Sequence, residues 1–117
     1  MSINYLWLDP HRRVLEIGPQ EDGSYIYFID TFLRCKELLS PQKEIELKVQ
    51  GGISLAEIPL LYEETMSLKA EVLIDEEYGI AQVISIELRS KEKMNEGKLI
   101  EELKRAESSI RNFCFIA

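Results

Sequence analysis

SYIYFIDTFLRCKELL (24–39) is the stretch on which the fold turns. Tyr25, Phe28, Ile29, Phe32, Cys35, Lys36 and Leu39 recur at i, i+3, i+4 and i+7, and all but Lys36 are apolar or weakly so. That spacing predicts a helix over about 25–39 with Ser24 as its cap. The same residues admit a second reading, in which 24–29 is a buried strand and Asp30 caps a shorter helix. The longer helix is the expectation of the two. Ser40-Pro41 ends either element, because the residue before a proline is held away from helical backbone.

On the N-terminal side, INYLWL (3–8) and VLEIG (14–18) have the aromatic and β-branched content of strands. Asp9-Pro10-His11-Arg12 between them is turn chemistry, since proline presets φ and aspartate bonds the backbone that follows. The pair predicts a hairpin, with Trp7 in the core and a polar loop from Pro19 to Gly23.

On the C-terminal side, EIELKVQ (44–50) alternates cleanly, with Ile45, Leu47 and Val49 on one face of a half-buried strand. Gly51-Gly52 turns the chain. Residues 53–66 resist assignment: Ser54 and Glu57 resemble a capping box, but Pro59 breaks a helix starting there. SLKAEVLID (67–75) and IAQVISIELR (80–89) flank EEYG as a hairpin whose second strand is central. Leu68, Ala70, Val72 and Ile74 share one face. Ile84, Ile86 and Leu88 share another, and Ala81 and Val83 make the second face partly apolar.

From Asn95 the period changes. Leu99, Leu103, Ala106, Ile110 and Phe113 form the stripe of an amphipathic helix. Its polar face carries Lys98, Glu101, Glu102, Arg105 and Ser109, with Glu101 and Arg105 as an i,i+4 pair contributing about 0.3 kcal/mol. The expected order is ββ-α-β-(irregular)-ββ-α. With no long linker or repeat, it predicts a single α+β domain over 1–117: an antiparallel sheet built from hairpins, with two helices packed on one face.

Composition narrows the function classes. The 117 residues are 45% apolar and 30% charged, enough for one modest core. No apolar run approaches the roughly 20 residues a membrane helix needs. The N-terminus lacks the basic region and cleavage site of a signal peptide. Cys35 and Cys114 sit in no CxxC pattern and read as buried reduced thiols. A cytoplasmic location is expected. The net charge of −7 and pI near 4.8 disfavour nucleic acid and anionic membranes as partners. The acidity is uneven. Residues 41–90 hold ten acids and four bases, a balance of −6. Complementary charge on a basic protein partner would steer association and fix its register.

No motif specifies a reaction, and the expectation is a non-enzyme without cofactor or metal. His11 beside Asp9 is the single histidine, and no Ser or Cys nucleophile stands at a recognisable spacing. One histidine and two unpaired cysteines fall short of a zinc set. Asp75-Glu76-Glu77 lacks the alternating ligands and central glycine of a calcium loop. Gly51-Gly52 lacks the following residues of a phosphate loop. Two clusters combine an aromatic with acids: Tyr62-Glu63-Glu64, and Asp75-Glu76-Glu77 beside Tyr78. Tyrosine is enriched at binding hot spots, so all seven residues are candidate partner contacts.

In size, acidity, the 41–90 block and the clusters YEE (62–64) and DEEYG (75–79), the whole chain resembles bacterial toxin-immunity proteins of the contact-dependent growth inhibition type. These share no single motif. The resemblance implies neutralisation of a basic cognate toxin, often a nuclease, by covering its active site or an adjacent surface, with acids standing in for phosphate. Type III secretion chaperones are similarly small, acidic and α+β, but usually open with a helix. A small ligand-binding domain, with its pocket between sheet and helix, is the third reading.

Overall fold

The computed structural model describes residues 2–8, 12–38, 46–50, 53–75, 80–112 and 114–116. They form β1 (Ser2–Leu8), β2 (Arg12–Gly18), β3 (Tyr25–Leu38), β4 (Glu46–Gln50), β5 (Ile53–Tyr62), β6 (Met66–Asp75), β7 (Ile80–Ser90), α1 (Glu96–Ile110) and β8 (Cys114–Ile116). The strands make one antiparallel sheet in the order β1-β2-β3-β7-β6-β5-β4. Two meanders, β1 to β3 and β4 to β7, are joined where β3 pairs with β7. β3 outruns β2, and β8 pairs with its far end. The expected hairpins at 3–18 and 67–89 are present, and β7 is central.

The expected helix over 25–39 is instead the 14-residue strand β3, so the helical layer of the described residues is α1 alone. Two physical causes explain the misreading. β3 is flanked on both edges and apolar on both faces, so its sequence is a near-continuous apolar run that periodicity cannot separate from a buried helix. Its register also shifts between Asp30 and Leu33, which breaks the period-2 alternation midway. The shorter alternative is right for 24–29 but wrong in having Asp30 cap a helix. Tyr25, Tyr27, Phe28, Ile29 and Thr31 have the aromatic and β-branched character that strands favour.

Residues 53–66, left unassigned by the sequence, are mostly strand β5. Pro59 is tolerated because the register shifts between Pro59 and Leu61. A shift between Glu71 and Val72 likewise changes the phase of β7. Val83, Ile86 and Leu88 are therefore the buried set, in place of Ile84, Ile86 and Leu88.

Across the sheet, Val14, Ile29, Ile86, Ala70 and Ile58 lie in register in one row, all buried. α1 covers this face with Leu99, Leu103, Ala106 and Ile110, the expected stripe. Asn95 caps it, its Oδ1 accepting from the Lys98 N–H at 2.8 Å. Phe113 lies outside the described residues. Glu102, expected on the polar face, is buried at the margin of the stripe. It pairs with Arg105 at 3.2 Å, while Glu101 approaches Lys98 at 3.8 Å.

Among the described residues, no helix lies on the opposite face. Its rows change character along the sheet. Tyr5, Leu15 and Phe28 continue in register into Glu87 and Lys69; Ile3, Ile17 and Ile26 continue into Arg89 and Ser67. In these rows the β1–β3 half is apolar and the β6–β7 half is ionic, while the row of Trp7 holds the Arg13–Asp30 pair. Lys69 Nζ lies 2.9 Å from Glu87 and 3.3 Å from Glu57, and Arg89 lies 3.6 Å from Glu87. The hydrogen bond to Glu87 is the main cause that raises the Lys69 ammonium above its ordinary range.

Trp7 belongs to this uncovered face and is 62% exposed, contrary to the expected core position. Strand alternation is the reason. Leu6 and Leu8 point toward α1, so Ile3, Tyr5 and Trp7 must point away from it.

Candidate functional site

Tyr62 ends β5 and is 91% exposed. The chain then turns sharply: the Glu63 N–H donates to Met66 O at 2.8 Å, and the Lys91 N–H donates to Thr65 O at 3.0 Å. These bonds fix the turn against the end of β7. A second turn approaches from the other meander. Gly18 leads into it at φ +147°, where a Cβ would stand 2.8 Å from the Tyr25 ring, so only glycine fits. The Gln20 N–H then donates to Ser24 O, and the Gly23 N–H donates to Gln20 O.

Between the two turns lies an open cleft of about 370 Å³, lined by Gln20, Asp22, Ser24, Tyr62, Glu63, Glu64, Thr65, Arg89 and Lys91 among others. Ser24 donates to Asp22 Oδ1 from its hydroxyl at 2.5 Å and from its backbone N–H at 2.9 Å. These bonds hold the Asp22 carboxyl below the usual carboxylate range. The acid therefore stays ionised. Glu63 is tied to α1 by Arg105 at 3.0 Å, an interaction that raises the Arg105 guanidinium further. Glu64 is exposed, with no ion pair among the described residues. The exposed ring of Tyr62 beside Glu64 and Asp22 is suited to an ammonium or guanidinium group, through its π face and through charge.

Asp75, the described residue of the second cluster, is not brought near Tyr62. Tyr62 pairs with Ser67 at one end of β6, and Asp75 pairs with Ile53 and Ile80 at the other. Ser67 and Asp75 are eight residue steps apart along β6, or about 26 Å at a strand's rise. A footprint covering both would have to run the length of the hairpin. Glu76, Glu77 and Tyr78 lie outside the described residues, as do His11, Asp9 and Gly51-Gly52; so do the side chains of Cys35 and Cys114. Among the described residues, no group of three or more His, Cys, Asp or Glu is placed to hold a metal ion, and no helix is long and apolar enough to cross a membrane.

Two features escaped the sequence reading. One is the outward row Ile3, Tyr5 and Trp7. Its signal was available: β1 carries no charge at all, although it is an outer strand. The other is a buried polar group under the start of α1. Glu16 is nearly fully buried, accepting from the Tyr27 hydroxyl at 2.7 Å and from Asn4 Nδ2 at 3.3 Å. It borders a pocket of about 620 Å³ between β1 and residues 93–96. Nothing in the sequence distinguishes Glu16 from a solvated strand glutamate, because its shorter hydrogen bond, 2.7 Å, comes from Tyr27 on the third strand.

Compared with known proteins, the chain matches no protein-family model, no curated protein and no solved structure.

Proposed function

We propose that this chain is an acidic cytoplasmic binding protein that neutralises a basic cognate toxin, in the manner of a bacterial immunity protein, with the Tyr62 end of the sheet as its contact surface. The observation that carries the reading is Tyr62 itself. A tyrosine 91% exposed at the tip of a hairpin, followed by two glutamates, contributes nothing to the core. Its rigid ring is the type of anchor that dominates protein interfaces. The turn that presents it is fixed by backbone hydrogen bonds, so little ordering entropy is lost on docking. Of the acids nearby, Asp22 and Glu64 are the ones open to a basic partner, while Glu63 serves mainly to fasten the turn to α1. Asp75 belongs to the far end of the hairpin and is not part of this contact surface. The ligand is a protein presenting lysine or arginine, since the cleft is shallow and open.

The test is a pull-down from the native host to identify a basic toxin partner, followed by co-expression of that toxin with this chain. Growth should be restored by the wild-type chain and lost with Tyr62→Ala combined with Glu64→Ser, both variants remaining folded. Absence of protection by the wild-type chain would overturn the reading.

A further inference from the structure

The outer edge of β1 has none of the devices that keep edge strands apart. β1 is seven residues long, SINYLWL, without charge, proline or bulge. Edge strands usually carry a lysine, a proline or a bulge against pairing with another chain. The opposite edge conforms to this: β4 carries Glu46 and Lys48, and β5 beyond it carries Pro59. Among the described residues, nothing pairs with the free side of β1. Its outward row is large and apolar, with Ile3 59%, Tyr5 65% and Trp7 62% exposed. The row continues inward through Leu15 and Ile17 of β2. The neighbouring charge is already satisfied: Arg13 lies over the Tyr5 ring at 5.9 Å and pairs with Asp30 at 3.3 Å.

We infer that β1 is the interface of a two-fold symmetric dimer, in which the β1 strands of two copies pair antiparallel and join the two sheets. Three observations select a second copy as the occupant. The strand is self-complementary about Tyr5. A two-fold axis there sets Ile3 against the partner's Trp7, Tyr5 against the partner's Tyr5, and Ser2 against the partner's Leu8, using every residue of the strand. Aromatic–aromatic and aromatic–aliphatic cross-strand pairs are stabilising, and a closed two-fold contact leaves neither β1 edge free. The strand is also an uncharged strip on a chain of net charge −7, where two copies can meet without opposing like charges. Finally, the row offers no acid with which to recognise a basic protein, which sets it apart from the Tyr62 end. Each large side chain contributes on the order of 100 Å² or more of surface. Six such side chains, three from each copy, supply upward of about 600 Å², so with the strand backbone the contact stays at or below about 1,200 Å², the size class of weak contacts, and a dimer dissociating at roughly micromolar concentration is expected.

Trp7 is the single tryptophan of the chain, so intrinsic fluorescence reports the interface directly. Sedimentation equilibrium and tryptophan emission would be followed together from about 1 to 200 µM, a range spanning a micromolar equilibrium. The expected result is a monomer with water-exposed emission on dilution, and a dimer with blue-shifted emission at high concentration. Tyr5→Lys opposes two like charges at the axis and should weaken the dimer by at least about tenfold. Its thermal melt should stay close to wild type, because Tyr5 is exposed. Ile3→Lys serves as a second variant should the first not fold. A wild-type monomer throughout the range, concentration-independent Trp7 emission, or a dimer that persists in a folded lysine variant would each overturn the inference.

Discussion

The Tyr27 hydroxyl donates to Glu16 Oε2 at 2.7 Å and accepts from the Met94 N–H at 2.9 Å. Tyr27 is fully buried, so this one oxygen links the first meander to the segment leading into α1. Burial is the main cause that raises its phenol well above the ordinary value of 10.0, and the bond to Glu16 acts in the same direction.

Tyr27→Phe should therefore destabilise the fold by about 1–3 kcal/mol, because it removes one partner of the buried Glu16 and the Met94 acceptor. The pH dependence follows from the same group. In the unfolded chain the phenol ionises near pH 10, while the folded protein keeps its proton to higher pH. The native state then binds more protons, and stability falls as pH rises above about 10. The raised Lys69 ammonium acts with the same sign from about pH 10.5 upward. Urea unfolding at pH 8 and above pH 10 should show the wild type losing stability, and Tyr27→Phe losing less. Equal losses in the two proteins would contradict the assignment to Tyr27.

Leu103→Ala should cost roughly 2–5 kcal/mol, the usual range for truncating a buried leucine. Leu103 is 5% exposed and lies in the stripe that α1 places on the sheet. Glu101→Ala, on the outward face of the same helix, should stay within about 0.5 kcal/mol. Thermal melts of both variants check the contrast.

Tyr62→Ala should weaken binding of the basic partner by at least tenfold, or about 1.4 kcal/mol, with little effect on folding. Asp75→Ser, at the far end of β6, should leave affinity within about twofold, because sites so far apart act independently. Calorimetric titration of the two variants distinguishes the ends of the hairpin. The reverse ranking would move the contact to the Asp75 end.

Association with that partner should slow markedly with added salt. Screening reduces electrostatic reach to about 8 Å at physiological ionic strength, while dissociation of a contact anchored on an aromatic ring should respond less. Stopped-flow rates from low to high salt are the measurement, and an association rate independent of salt would argue against electrostatic steering.

Local patterns were legible wherever one face of an element is wet. α1 was readable from its stripe and from Asn95, and β2, β6 and β7 from alternation or from strand-forming residues. Legibility failed where a strand is apolar on both faces, as for β3, or where a bulge shifts the phase, as at Pro59 in β5 and opposite Val72 in β7. The candidate contact at Tyr62 was readable as an aromatic among acids. The meeting of that turn with Gln20, Asp22 and Ser24 was not, since only strand register sets which turns share an end of the sheet.

Composition and spacing by themselves determined an acidic α+β chain with hairpins at both ends and a C-terminal amphipathic helix. Charge, turn residues and apolar period act locally, and each can be read without knowing its neighbours. Tertiary structure alone decided that 25–38 is a strand, that Trp7 faces outward, and that Glu16 is buried against Tyr27. Each of these depends on which strand lies alongside, and strand neighbours are chosen by the burial of whole rows across the sheet, not by any one segment's sequence.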